Sequence, residues 1–159
     1  MINQHALVVQ TPAPVMSDEF NTRAALRQRL LTVPDLPVGI AWENEGFDPT
    51  TGVPWLRETL LPVGSQVASF GGSGASDGLI RDDGLWQITV FWPAGQGTRL
   101  VDELVKAIAS AFRPGLTGVL TYGGITVHCD RVRIAPALQE PDWYAKPITV
   151  SYHVTRPNT

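Results

Sequence analysis

The sequence contains one cysteine, Cys129, in 159 residues. No intrachain disulfide is possible, so the fold must hold without a covalent staple; a lone thiol fits a reducing compartment. Charge is also scarce. Charged residues make up 17% of the chain, against the ~25% usual in globular domains. That leaves more neutral surface than a monomer commonly shows and weakly favours a protein that assembles. There is no basic excess: the net charge is −3 and the pI is near 5.5. Gripping nucleic acid by phosphate neutralisation is therefore not expected. The opening stretch MINQHALVVQTPAPVM has no basic n-region, and its only apolar run is Ala6 to Val9. It reads neither as a signal peptide nor as a membrane span, which points to a protein made and kept, or assembled, in the cytosol.

What is present is one domain's worth of chain, 43% hydrophobic, and a domain of this size buries roughly 70% of its unfolded surface. Residues 1–16 read as a flexible arm, extended at TPAPV. It is either a disordered tail or a segment whose Leu7, Val8 and Val9 add to a neighbour's sheet edge. Residues 17–159 read as a single domain. A helix is predicted over 17–33, with Ser17 as N-cap and Asp18 and Glu19 favoured by the dipole in its first turn. Its apolar face is expected to run through Phe20, Ala24 and Leu31, with Leu26, Leu30 and Val33 beside them. Pro34 and Pro37 stop it.

Strands are predicted at 38–42 and 54–63. Residues 64–83, rich in Gly, Ser and Asp, read as a long flexible loop or hairpin tip. The clearest strand is 85–93, where Trp86, Ile88, Val90 and Trp92 alternate with Gln87, Thr89 and Phe91. A second helix spans 98–112, capped by Thr98, with Leu100, Leu104, Ile108, Ala111 and Phe112 as its stripe. Strand character returns at 117–124, 125–135 and 146–154. This order implies an α+β fold: a mixed, mostly antiparallel sheet with two helices packed on one face and an extended loop or hairpin between strands.

No catalytic, cofactor or metal constellation emerges. His128, Cys129 and Asp130 are consecutive in a strand, so Cys129 points away from the other two, which argues against a chelate or a Cys–His pair. FGGSGASDG (70–78) lacks the GxxxxGK[ST] pattern of a phosphate loop. The chain is not read as an enzyme. The five tryptophans sit at strand edges and turns. Most are expected in the core, and one or two could anchor a subunit contact. The odd stretch is GIAWENEGFDPTTGVPWLRETLLP (39–62), where Trp42, Phe47 and Trp55 surround an acidic turn. It reads as an aromatic-braced turn at or beside a subunit interface.

Together, RAALRQRL (23–30), GIAWENEGFDP (39–49), GVPWLRETLLP (52–62), GLWQITVFWPAGQGTR (84–99), AFRPG (111–115) and WYAKPITVSYHV (143–154) resemble the tail terminator, or tail completion, proteins of long-tailed bacteriophages. The resemblance covers about residues 17–154. It implies a structural virion protein of the tail and neck, typically a ring of six copies. Its partners would be itself, the tail tube protein and the head-side connector. The ring would cap the tube and stop its polymerisation, and viral DNA would pass through the lumen without specific binding. Six copies at −3 each carry −18, which suits a conduit through which DNA slides. Arg23, Arg27 and Arg29 are expected to meet a neighbour's acids, Asp82 or Asp83. Glu43, Glu45 and Phe47 are expected at the interface, and Phe70, Asp77 and Arg81 at the lumen or an axial face. The alternatives are another neck or tube subunit of the same virion, or a small cytosolic binding module.

Overall fold

The computed structural model describes residues 18–71 and 74–158, with side chains for 18–70 and 78–158. The arm at 1–16 and Ser17 lie outside the described residues. Among those described, two helices, α1 (Asp18–Leu30) and α2 (Arg99–Ala111), share a core with one face of a seven-stranded sheet. The strands are β1 (Gly39–Ala41), β2 (Trp55–Gly71), β3 (Gly74–Pro93), β4 (Val119–Tyr122), β5 (Ile125–Ile134), β6 (Leu138–Gln139) and β7 (Trp143–Pro157). Their spatial order is β1-β2-β3-β7-β5-β4, with β6 beside β7. Only β1 and β2 run parallel. The α+β reading and the mixed, mostly antiparallel sheet are what forms.

β3 is the spine, paired along nearly its whole length with β2 on one side and β7 on the other. Its alternation does what the period predicts: Trp86, Ile88 and Val90 are buried towards the helices. Leu26 and Leu30 of α1, Ile108 of α2, the adjoining Phe112 and Ile148 of β7 close the same core. Fully burying such side chains contributes roughly 1.5–3 kcal/mol each, and Trp86 and Phe112 add ring contact at 5.0 Å.

Both helix faces differ from the periodic reading. Phe20 and Leu31 are exposed, and α1 instead buries Asn21, Thr22, Ala25, Leu26 and Leu30. The polar pair is tolerated because Thr22 Oγ1 donates to the Asp18 carbonyl at 2.7 Å and Asn21 reaches the Gly123 carbonyl at 3.5 Å. In α2, Leu100 points outward, and Val101, Leu104, Val105, Ile108 and Phe112 form the buried stripe. Thr98 precedes α2 without a side-chain capping bond. Val38 is fully exposed, because β1 begins at Gly39.

The segment 64–83 takes the hairpin alternative. The β2–β3 ladder runs on through Gln66↔Arg81 and Ser69↔Leu79, and β7 follows β3 out to Leu79↔Pro157. Backbone pairing, rather than side-chain burial, makes this Gly- and Ser-rich stretch a strand. β2 is exposed from Leu61 to Phe70.

The fastening between α1 and the sheet is polar. Glu58 of β2 points to the core side, and its side chain has no exposure. It accepts from Arg27 Nη2 at 2.6 Å, Arg27 Nε at 3.0 Å, Trp86 Nε1 at 3.0 Å and the Glu43 backbone N–H at 3.3 Å. Hydrogen bonding to Glu58 holds the Arg27 guanidinium above its ordinary pKa. Truncating Glu58 to Ala leaves Arg27 and the Trp86 N–H without their acceptor. The expected loss is roughly 3–5 kcal/mol, read as a fall in the urea midpoint with an unchanged slope; an unshifted midpoint would show that the network does not hold α1. Gly123, in the β4–β5 turn, has φ 57°, and an added Cβ would lie 2.4 Å from Asn21 Oδ1. Gly123→Ala should therefore cost roughly 1–3 kcal/mol, measured by the same denaturation.

Candidate assembly surface

The acidic turn at 43–45 is built around the same carboxylate. β1 covers the outer edge of β2 only as far as Ala41↔Arg57. Beyond it, Glu43 takes over the edge: its carboxylate accepts from the Leu60 backbone N–H at 3.3 Å and pairs with Arg23 at 2.8 Å. Glu45 lies 3.6 Å from Arg27, whose guanidinium sits 4.6 Å over the Trp42 ring. Asn44 adopts φ 61°, the left-handed conformation that Asn tolerates in tight turns. The stretch AWENE is thus a strand-edge cap that substitutes a side chain for a strand partner.

Phe47 belongs to a second, smaller cluster on the opposite face of the sheet. Trp55 stacks on Phe91 at 3.9 Å, Phe47 tilts against Trp55 at 5.2 Å, and Trp143 meets Trp55 edge-on at 6.0 Å. Arg57 covers Phe91 at 4.9 Å. The Trp55 indole N–H is buried with no acceptor among the described residues, so ring contact holds this cluster. Gly39 is needed beneath it, because a Cβ there would lie 2.9 Å from the Phe47 ring.

The three α1 arginines all have partners within the chain. Arg23 pairs with Glu19 and Glu43, and Arg27 with Glu58. Arg29 donates to the carbonyls of Ala111 and Thr117 at 3.2 and 2.6 Å, tying α1 to the end of α2 and the 3₁₀ turn Leu116–Gly118. Arg27 cannot serve a neighbour's Asp82 or Asp83 without abandoning a fully buried carboxylate. Leaving that carboxylate unpaired would strand a buried charge, so in the isolated chain Arg27 is committed to Glu58. The spacing signal for Arg27–Glu58 was absent, since the two are 31 positions apart.

The hairpin acids also have partners. Asp82 binds Arg156 at 2.7 Å and Ser65 at a short contact; Asp83 binds Arg81 at 2.8 Å and Gln66 at 3.1 Å. Burial opposes the Asp82 charge, but the Arg156 and Ser65 hydrogen bonds outweigh it and lower its pKa. Arg81 also reaches Asp130 at 3.1 Å, and Asp130 binds His153 at 2.8 Å, with His153 stacked on His128 at 4.9 Å. Phe70, near the hairpin end, is 81% exposed. The Asp77 side chain lies outside the described residues. Cys129 is buried, and burial pushes its thiol up to about 12. Among the described residues, no group of three His, Cys, Asp or Glu is placed to hold a metal ion.

Two open grooves flank the sheet on its helix side. One, of about 350 Å³, lies between the start of α1 and the hairpin and is lined by Asp18, Glu19, Asp82 and Asp83 against one cation, Arg156. The other, of about 500 Å³, lies between the last turns of α2 and β5 and is lined by Lys106, Arg113, Arg131 and Asp130.

A protein-family model described as phage tail terminator protein matches residues 21–152. No curated protein matches the sequence. A solved structure that carries no functional name shares 26% identity and superposes with a TM-score of 0.64, covering 87% of this chain and 96% of that one. The matched span runs from α1 through the Glu58 network to Tyr152 of β7, and the chain belongs to the phage tail terminator protein family, whose members are structural proteins of the virion tail.

Proposed function

We propose that this chain forms a closed ring, six copies in the reading adopted here, on the last ring of the tail tube. There it stops tube polymerisation and presents its other face to the head-side connector. DNA crosses the lumen without specific contacts, and the protein works as a structural part rather than a catalyst. The observation that carries this reading is the family match over residues 21–152. The architecture supports it. A hairpin that is exposed from Leu61 to Phe70 in the isolated chain presents surface for a neighbour to cover. A sheet with helices on one face and, among the described residues, none on the other has two unlike sides, which is what a cap between two different partners requires. The turn at Glu43, Glu45 and Phe47 and the hairpin around Phe70, Asp77 and Arg81 are placed at subunit or axial contacts in this reading.

Electron microscopy of particles made without this protein tests the proposal. The expected outcome is overlong tubes unattached to filled heads. Tails of normal length joined to heads would overturn it. Complete absence of tubes would assign the chain to the tube itself, and normal tubes with detached heads would assign it to the neck.

A further inference from the structure

We infer that the ring closes through the two free edges of the sheet: β2 beyond Leu60 in one copy docks against β5 between Asp130 and Ile134 in the next. This rests on the ring reading and names its contact. β4 covers β5 only from Ile125 to His128, and the 3₁₀ turn packs at Cys129. From Asp130 to Ile134, β5 has a strand partner, β7, on one side alone among the described residues. At the far end of the sheet, β1 and the Glu43 carboxylate cover β2 as far as Leu60, and from there β2 has only β3. Each edge leaves a row of backbone N–H and C=O groups open to pairing.

The charges left unpaired beside the two edges differ in sign. Beside β5, Lys106, Arg113 and Arg131 form no ion pair among the described residues. The one acid in that groove, Asp130, is already held by His153 and Arg81. Beside β2, the groove at the start of α1 holds Asp82, Asp83 and Glu19, already paired with Arg156, Arg81 and Arg23, and Asp18, which has no ion pair among the described residues. Apolar side chains accompany both charges: Leu61, Val63 and Val67 on β2, and Ile134 on β5 are exposed. Unlike surfaces at opposite ends of one sheet make a head-to-tail contact, which forms a ring where the rotation between copies closes. Complementary charge selects this edge pairing over like-edge pairing.

The register adds a geometric consequence. Arg131 lies in the same cross-strand row as Ser151, Leu85 and Leu61, where open β2 starts, while Val132, Arg133 and Ile134 are level with the covered residues Leu60, Thr59 and Glu58. Pairing with the exposed length beyond Leu61 therefore staggers each copy along its neighbour, as a sheet closing on itself demands. Pro62 and the irregularities at Pro62/Gly64 and Val67/Ser69 limit the unbroken pairing stretch to Gly64 through Val67.

The test is cross-linking in assembled particles with a short bis-maleimide. Full-length chain carrying both Gln66→Cys and Arg131→Cys should give a ladder of multimers, while neither single variant should give dimers. Buried Cys129 in the unaltered chain supplies the background. A second pair, Ser65→Cys with Ser110→Cys, repeats the measurement if the first variant fails to assemble. Dimers from a single variant would show like-edge pairing and overturn the inference. Particles with normal tails and no ladder from either pair would also overturn it while leaving the capping role intact, because that role is decided by tail length in particles lacking the protein.

Discussion

The Glu58 carboxylate is cut off from water, and it is held there by donors converging from three other parts of the chain. α1 supplies Arg27, β3 supplies the Trp86 indole and the acidic turn supplies the Glu43 N–H. Burying an ionised group is costly unless its hydrogen bonds are complete. Completing them requires that α1 sit at one height on the sheet and that the turn fold back over β2. Arg27 then packs on Trp42 and attracts Glu45, while Arg23 and Glu43 close the same turn. The aromatic residues in this stretch brace a polar device from both faces of the sheet. An apolar substitute could fill the space but would not set the turn's position.

From that anchor, the sheet divides into two parts with different physics. Near the helices it is stabilised by burial, with Trp86, Ile88, Val90 and Ile148 excluded from water. Towards the hairpin, β2 loses burial and is kept by ladder hydrogen bonds, while short ion pairs such as Asp82–Arg156 join β3 to β7. Exposed ion pairs contribute little individually, so the outer hairpin is the less stable part of the fold. The proposed capping role would gain from this division: a rigid body positions a strand pair whose outer edge is unspent.

Much of the architecture was legible in the sequence. The period-two alternation of 85–93 and 146–154 named the central strands and the side they bury. Proline at 34 and 37 marked the exit of α1, and the fold class followed from element order. The family could be read from quoted motifs spread along the chain. The failures are instructive. In α1 the apolar residues Phe20 and Leu31 were assigned inward, but Asn21 and Thr22 take those positions because their polar groups find backbone partners. For 64–83 composition left a flexible loop and a hairpin tip both open, because composition does not register that β7 continues far enough to hydrogen-bond β3 out to Leu79. No sequence spacing indicated that Arg27, expected to meet a neighbour's acids, also binds Glu58 within the chain.

The sequence by itself determined the elements, the core faces of the sheet, the absence of disulfides and the family, since these depend on local periodicity, composition and motif order. Only the tertiary structure decided which charges are committed and which remain open. Arg27 and Glu58 are 31 positions apart and meet only when α1 lies across β2. Lys106, Arg113 and Arg131 are left without acids because the nearby carboxylate, Asp130, faces His153 and Arg81. Charge pairing falls off within a few ångströms and strengthens steeply with burial. It is therefore set by packing that no one-dimensional pattern records.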